Sequence, residues 1–179
     1  MTLDIQRFRD LMAGVCAPVT VVTTSEAEIP YGATVSAFAS LSLSPPMISV
    51  ALGQGSQLLA RILRTERFGI NVLEKSQEET ARLFAARGAD RFGQSTWAFD
   101  HGMPRLAAAA SWLVCSLAQA VEGGDHMLLL GVVTDAEKTA APPLVYSERL
   151  FGTHSVLLER ETERKKKAKR LTLLGGDMQ

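Results

Sequence analysis

The sequence predicts a mainly β fold with peripheral helices, of the kind found in small β-barrels. Short runs of β-branched and apolar residues follow one another along the chain, and turn residues separate most of them. Short turns favour antiparallel neighbours, and only two helical segments interrupt the series after its first strand. These observations favour a small barrel over a parallel α/β sheet.

Length and composition are those of a single globular domain. The chain has 179 residues, of which 46% are hydrophobic and 21% charged. Its formal net charge is zero, so a general electrostatic attraction to nucleic acid is not indicated. Residues 159–170 are almost all charged, and we expect a domain over residues 1–158 followed by a charged C-terminal tail or helix over 159–179.

The sequence shows no signal for export or membrane insertion. Its first ten residues mix acidic and basic side chains and lack the apolar core of a secretory signal. No apolar run approaches the ~20 residues that cross a bilayer. We therefore expect a cytoplasmic protein with no membrane partner.

The first third of the chain predicts one helix and three strands. Apolar residues recur at helical spacing over residues 4–15, and Asp4 is a suitable N-cap. The β-branched run at 19–24 predicts a strand, and residues 31–42 predict the strand that returns beside it in a hairpin. Residues 47–52 predict the third strand.

The remainder predicts two helices among further strands. Ser76 and Glu79 have capping-box spacing at the start of the second of these helices. Residues 85–105 contain three glycines and a proline and predict a long loop, which is often functional. In order, the predicted elements are a helix at 56–63, a strand at 68–73, a helix at 76–84, a hairpin of 111–121 with 127–136, a short strand at 144–146 and a closing segment at 151–158.

The stretch from Tyr31 to Ser56 is the first candidate for a binding site. Its hydroxyl residues are Thr34, Ser36, Ser40, Ser42 and Ser44. A strand that exposes hydroxyls and free backbone N–H groups at its frayed end can bind a phosphate without any lysine. The same alternation is typical of a polar-faced edge strand, and spacing alone leaves both interpretations open.

A second pattern in this region resembles a dinucleotide-binding βαβ unit. The strand at 47–52 is followed by Gly53, Gly55, a helix, another strand and then Glu74. However, Leu58 stands where the third glycine of that fingerprint belongs. The chain after Glu74 also continues into hairpins, so we do not favour this interpretation.

Cysteine and histidine spacings do not indicate a metal site. Cys16 and Cys115 match no zinc or redox pattern, and each lies in an apolar segment, so we expect two buried free thiols. The histidines, His101, His126 and His154, are scattered along the chain.

Seven short fragments occur in a specific order. They are G-A-T-V-S-A-F-A-S-L-S-L-S-P-P at 32–46, Ser56 opening the next helix, F-G-I-N-V-L at 68–73, D-R-F at 90–92, G-M-P-R-L at 102–106, G-D-H at 124–126 and P-L-V-Y at 143–146. On this pattern the chain resembles the flavin reductase family with the FMN-binding split-barrel fold. Members of that family are small reductase components of two-component flavin monooxygenases. The resemblance runs from about Phe8 to His154.

The resemblance implies a set of flavin contacts in the first fragment and beyond it. Four residues would lie along the isoalloxazine edge, namely Thr34, Val35, Ser36 and Ala37. Ser40, Leu41 and Ser42 would lie nearer the ribityl chain and the phosphate. Ser56, at a helix N-terminus, would bind an anion, and Arg91 and Phe92 would close the phosphate end. His126 would lie beside the nicotinamide.

The resemblance also implies cofactors and partners. It implies FAD or FMN as the flavin, NADH or NADPH as the co-substrate, a homodimer, and a separate oxygenase component that acts on an aromatic compound. The alternative function is a split-barrel flavin carrier or sensor without NADH turnover.

Hydride transfer from nicotinamide C4 to flavin N5 asks little of the protein's own side chains. The cofactors carry the chemistry, so neither a nucleophile nor a metal is needed. Backbone N–H groups around residues 35–37 could stabilise the charge at flavin N1 and O2. His126 is the candidate catalytic residue, with an exposed turn histidine as the alternative, and we expect Asp125 to be a plain turn residue. Asn71 is expected to satisfy backbone groups rather than to touch flavin.

Overall fold

The structure, a computed structural model, describes residues 3–154. The charged segment predicted at 159–179, and the end of the segment predicted at 151–158, lie outside the described residues. The helices are α1 (Ile5–Ala13), α2 (Gln57–Thr65) and α3 (Glu78–Ala85). The strands are β1 (Ala17–Pro18), β2 (Thr20–Glu26), β3 (Ile29–Val35), β4 (Phe38–Leu43), β5 (Pro46–Gly53), β6 (Arg67–Val72), β7 (Trp97–Asp100), β8 (Met103–Leu106), β9 (Ser111–Gly123), β10 (His126–Lys138), β11 (Val145–Ser147) and β12 (Leu150–Gly152).

One antiparallel sheet organises the fold. Its seven strands lie in the order β3-β2-β6-β9-β10-β5-β4, and a β7–β8 hairpin and a small β1-β11-β12 sheet accompany it. The edge strands β3 and β4 are consecutive in sequence, and a backbone hydrogen bond from Ala51 to Ala37 (3.0 Å) joins β5 to the end of β3. The sheet therefore curves until its two ends approach each other. The mainly β prediction is confirmed.

Two layers of apolar side chains fix this curvature. Inside the sheet, Val50, Phe68 and Leu129 are fully buried and pack against the inner face of α2. On the other side of β2, Val21 packs with Phe84 of α3. β2 is thus buried on both faces, which explains its continuous β-branched run. Each fully buried side chain of this size contributes about 1.5–3 kcal/mol.

The strand predicted over residues 31–42 is two strands, which corrects the prediction. β3 pairs with β2 as far as Val35, and after Ser36 and Ala37 the chain continues as β4, which pairs with β5 instead. The apolar and polar alternation continues through both strands. A local pattern therefore does not show that the pairing partner changes.

Two predictions for residues 76–105 are also wrong in detail. α3 begins at Glu78, and Ser76 hydrogen-bonds Glu74 rather than forming a capping box with Glu79. The segment predicted as a loop contains the β7–β8 hairpin, whose turn has His101 and Gly102 at positive φ (49° and 77°).

The N-terminal helix is confirmed, but its apolar face is uncovered in this chain. Asp4 caps α1 by accepting a hydrogen bond from the Arg7 amide (2.9 Å). Ile5 and Phe8 are 67% and 51% exposed. Cys16, just after this helix, is likewise exposed, so the prediction of two buried thiols holds only for Cys115. Apolar neighbours in sequence did not imply burial here: among residues 3–154, no residue of α1 is buried.

Candidate functional site

A groove opens where the end of β3 meets β5, and we call it the β3–β5 groove. It encloses about 300 Å³. Its lining contains six of the predicted site residues, Thr34, Val35, Ser36, Ala37, Ser56 and His126, together with Ala33, Ala51, Leu52 and Gly53. The structure thus brings together residues that are up to 92 positions apart in sequence.

Free backbone donors lie in the short connection between β3 and β4. The Ser36 carbonyl accepts from the Phe38 amide (2.9 Å), and the Ala37 carbonyl accepts from the Ala51 amide (3.0 Å). Within the described residues, the amides of Ser36 and Ala37 donate to no carbonyl outside the regular strands. Both residues are exposed, so these amides can bind a ligand that lies in the groove.

Thr34 contributes differently from the prediction. Its hydroxyl donates to the Ala81 carbonyl of α3 (2.7 Å), and the Thr20 hydroxyl donates to the Val35 carbonyl (2.7 Å). These bonds fix the end of β3 against its neighbours. The side chain of Thr34 is therefore a support for the groove, and its contact with a ligand stays a prediction.

The N-terminus of α2 borders the same groove. Ser56 is the N-cap, and its hydroxyl accepts from the Leu59 amide (3.4 Å). The next amides, of Gln57 and Leu58, donate to no described carbonyl. A helix N-terminus with free amides favours an anion. These two residues also line an adjoining groove of about 360 Å³ that contains Tyr31, Arg91 and Phe92.

Arg91 and Phe92 form the far wall of this adjoining groove. The Arg91 guanidinium donates to the carbonyls of Gly32 and Ala86 (both 2.6 Å), so it holds the loop against β3. Its Nε is buried and has no partner within the described residues. Phe92 packs edge-on against Phe84, with ring centroids 5.2 Å apart. The Arg91 side chain thus holds the wall of the adjoining groove in place, and its contact with a ligand stays a prediction.

His126 lies at the open side of the β3–β5 groove, opposite Gly53 in the strand pairing. Its Nδ1 lies 2.7 Å from Asp125 Oδ1, and the half-exposed ring leaves Nε2 without a described partner. Gln54 fixes the turn with two hydrogen bonds of 3.0 Å. Its backbone N–H donates to the Asp125 carbonyl, and its side-chain Nε2 donates to the Gly124 carbonyl. The hydrogen bond with His126, followed by the charge of that ring, lowers the pKa of Asp125. Asp125 therefore orients the imidazole, which a plain turn residue does not.

Three predicted residues lie outside both grooves. Ser40, Leu41 and Ser42 are in β4, where the pairing with β5 shifts between Ser40 and Ser42 and leaves Leu41 in a bulge. Their contact with a ligand stays a prediction.

The comparison with protein families decides what kind of site this is. The family model of the flavin reductase like domain matches residues 12–155. The chain belongs to the flavin reductase-like family. Within residues 3–154, no helix is long and apolar enough to span a membrane.

Relatives and solved structures agree with this assignment. The chain is 37% identical over 150 residues to the reductase component of a 4-nitrophenol 4-monooxygenase/4-nitrocatechol 2-monooxygenase from Rhodococcus opacus, covering 84% of this chain and 81% of that protein. It is 34% identical over 160 residues to the FMN reductase (NADH) RutF of an Enterobacter species, covering 87% and 96%. Among solved structures, one match is the NADH:FAD oxidoreductase SgcE6 of Streptomyces globisporus in complex with NAD and FAD fragments. The two chains are 32% identical and superpose with a TM-score of 0.81, and the match covers 86% of this chain and 96% of that one.

Proposed function

We propose that this chain is an NAD(P)H-dependent flavin reductase that supplies reduced FAD or FMN to a separate monooxygenase acting on an aromatic compound. The observation that carries the proposal is the β3–β5 groove, where the free amides of Ser36 and Ala37 and the ring of His126 line one space. The relatives support it, because one is a reductase component of a nitrophenol monooxygenase and another is an NADH-dependent FMN reductase.

The residues present fit a flavin. Residues 34–37 would hold the isoalloxazine ring, and the free amides of Gln57 and Leu58 at the N-terminus of α2 would hold the flavin phosphate. Gly53 and Gly55 leave room, because no atom lies within 4 Å of a Cβ placed on either residue. When bound, the flavin accepts the hydride from nicotinamide, which is chemistry that the cofactor supplies.

The protein's part is orientation and charge stabilisation. The Ser36 and Ala37 amides are fixed before any ligand arrives, because the carbonyl in the same peptide plane is held in each case: the Val35 carbonyl by the Thr20 hydroxyl (2.7 Å) and the Ser36 carbonyl by the Phe38 amide (2.9 Å). Preorganised donors of this kind stabilise negative charge as it develops on the ring. The imidazole of His126, held by Asp125, presents Nε2 to the nicotinamide amide or ribose, or as a proton donor.

A homodimer belongs to this proposal. Leu43 of the edge strand β4 is 90% exposed and Leu41 is 50% exposed, and α1 leaves Phe8 uncovered. Apolar side chains exposed to this degree favour an interface. Light scattering coupled to size exclusion should give twice the monomer mass, and Leu43→Asp should lower that mass.

The test of the reductase is oxidation of NADH by pure protein without flavin, with FMN and with FAD. We expect turnover only when a flavin is present, and the preferred flavin is the one that gives the higher rate. Flavin binding without turnover with either nicotinamide would support the carrier function instead.

His126→Ala tests the histidine. We expect slower flavin reduction in stopped flow, with flavin affinity nearly unchanged, because the ring is placed to contact the nicotinamide. His101→Ala is the matched control, since His101 is also a half-exposed histidine with an acidic partner (Asp135, 2.8 Å) but lies in the β7–β8 turn. If His126→Ala weakened only flavin binding, the proposed role would be wrong.

A further inference from the structure

A second pocket lies behind β3, between α3 and the β11–β12 hairpin, and we call it the α3–β11 pocket. It encloses about 280 Å³. Small-molecule sites have volumes of about 300–1,000 Å³, so this pocket suits part of a ligand rather than a whole dinucleotide. Thr34 and Ser36 line both this pocket and the β3–β5 groove. The two spaces are therefore adjacent at the end of β3, on either side of these two residues.

Two arginines line the α3–β11 pocket although they lie far apart in sequence. Arg82 comes from α3 and Arg149 from the turn between β11 and β12. Arg82 is paired with Glu78 (2.6 Å) and Arg149 with Asp10, and all four side chains are well exposed. Exposed ion pairs are weak, so a phosphate that offers bidentate acceptors can compete for both guanidinium groups.

The rest of the lining is apolar and aromatic. The rings of Tyr146 and Phe151 lie 5.0 Å apart, and the Arg82 guanidinium lies 5.0 Å from the Phe151 ring. Val19, which is almost fully buried, also lines the pocket. The Tyr146 hydroxyl has no hydrogen bond to a described residue. Aromatic rings beside a guanidinium are suited to stack a purine base.

The turn that carries Arg149 is conformationally unfavourable. Glu148 and Arg149 have φ values of 50° and 61°, and neither is glycine. Two-residue hairpins of this shape prefer asparagine or glycine at both positions. The β2–β3 turn has the same shape, with φ values of 50° and 62° at Ala27 and Glu28, so Arg149 extends towards the pocket from a regular tight turn.

We propose that the α3–β11 pocket binds the adenosine diphosphate moiety of a dinucleotide. Arg82 and Arg149 face the diphosphate, and the base lies against Tyr146 and Phe151. The inference rests on the proposed function, because the groove beside Ser36 then holds the redox rings. NADH is the source of this moiety, because the diphosphate of FAD includes the flavin phosphate, which the proposed function assigns to the N-terminus of α2 and not to this pocket.

The test compares charge removal with ion-pair removal in the full chain. The variants are Arg82→Gln and Arg149→Gly, and the latter should keep the hairpin because glycine accepts its positive φ. The controls are Glu78→Gln and Asp10→Asn, which break the same ion pairs but keep the cations. We expect each arginine variant to weaken ADP-ribose binding in calorimetry about tenfold, with FMN affinity unchanged, and we expect both controls to bind ADP-ribose at least as tightly as the wild type.

Two further measurements identify the source of the moiety. If it is NADH, the KM for NADH with FMN as the flavin rises about tenfold in the arginine variants. A fall in the ratio of FAD to FMN affinity, with the KM for NADH unchanged, would show that the moiety is that of FAD and would overturn the assignment to NADH. Folded arginine variants that bind ADP-ribose as the wild type does, or a wild type that does not bind it, would overturn the proposal. A wild type that binds ADP-ribose but does not oxidise NADH with any flavin would overturn the proposed function alone.

Discussion

Replacing Asn71 with alanine should destabilise the protein without weakening its flavin binding. Asn71 is fully buried in β6, and its amide connects the main sheet to the β7–β8 hairpin. Its Nδ2 donates to the carbonyls of Val21 (3.2 Å) and Pro104 (3.3 Å), and its Oδ1 accepts from the Leu106 amide (2.7 Å). The prediction that this residue satisfies backbone groups is therefore confirmed.

The size of the effect follows from which groups lose their partners. The Pro104 carbonyl keeps a hydrogen bond from the Thr23 hydroxyl (2.8 Å), so it loses only one of its two hydrogen bonds. The Leu106 amide, in contrast, is stranded in a buried position, which costs about 1–3 kcal/mol. Together with the small cavity left by the side chain, we expect a loss of about 3 kcal/mol. For a chain of this length that corresponds to a fall in Tm of roughly 6–12 °C.

The assay is thermal and urea unfolding, followed by FMN titration well below the transition. Gln119→Ala is the control, because Gln119 is an exposed amide side chain on the neighbouring strand β9. It should change the unfolding free energy by less than about 0.5 kcal/mol. A variant at Asn71 that is as stable as the wild type but binds FMN tenfold more weakly would refute this reasoning and place the amide at the ligand.

Further outcomes are expected for Gly69, for the two cysteines and for Asp125. Gly69→Ala should lower the unfolding free energy by about 1–3 kcal/mol in urea titrations, because the added Cβ would clash with the buried Trp112 ring. A thiol reagent should label Cys16 quickly and Cys115 only on unfolding; burial raises the pKa of Cys115 to about 12. Since the folded thiol keeps a proton that the unfolded thiol loses near pH 9, stability should fall as pH rises from about 9 towards 12. Asp125→Asn should slow flavin reduction in stopped flow more than it weakens FMN binding, because the neighbouring imidazole loses its charged Nδ1 partner. In the wild type that carboxylate has a lowered pKa, so its contribution is present above the ordinary aspartate range and is lost only as pH falls through the lowered folded-state pKa.

Local sequence patterns predicted those helices, strands and turns that are determined by neighbouring residues in the sequence. The continuous β-branched run gave β2, the Gly-Gly turn gave the β9–β10 hairpin, and Ser56 at the start of α2 is the N-cap of that helix. Each of these depends on residues within a few positions of one another. The approximate position of the groove could be predicted for the same reason, because its largest lining segment is the continuous run 33–37.

The rest depends on contacts between distant segments. β5 pairs on one side with β10, which is more than 70 residues further along the chain, and the Thr34 hydroxyl is bound to a carbonyl 47 residues away. No arginine pair is visible in the sequence, yet Arg82 and Arg149 line one pocket because α3 and the β11–β12 hairpin flank the same strand. Such pairings are set by tertiary packing, which overrides local preference.

The type of donor in the groove bears on how a flavin is held. A reductase that supplies a separate oxygenase must release the reduced flavin, so it should hold the flavin as a substrate. The donors near the predicted phosphate position are backbone amides of Gln57 and Leu58, while the two Arg91 Nη atoms are already bound to carbonyls. Those two hydrogen bonds use two of the five N–H groups of Arg91 and hold the guanidinium in the wall of the adjoining groove, so the donors that face the phosphate first are the amides of α2. Amides and a helix dipole orient the flavin with less affinity, and that combination favours reversible binding over a fixed prosthetic group.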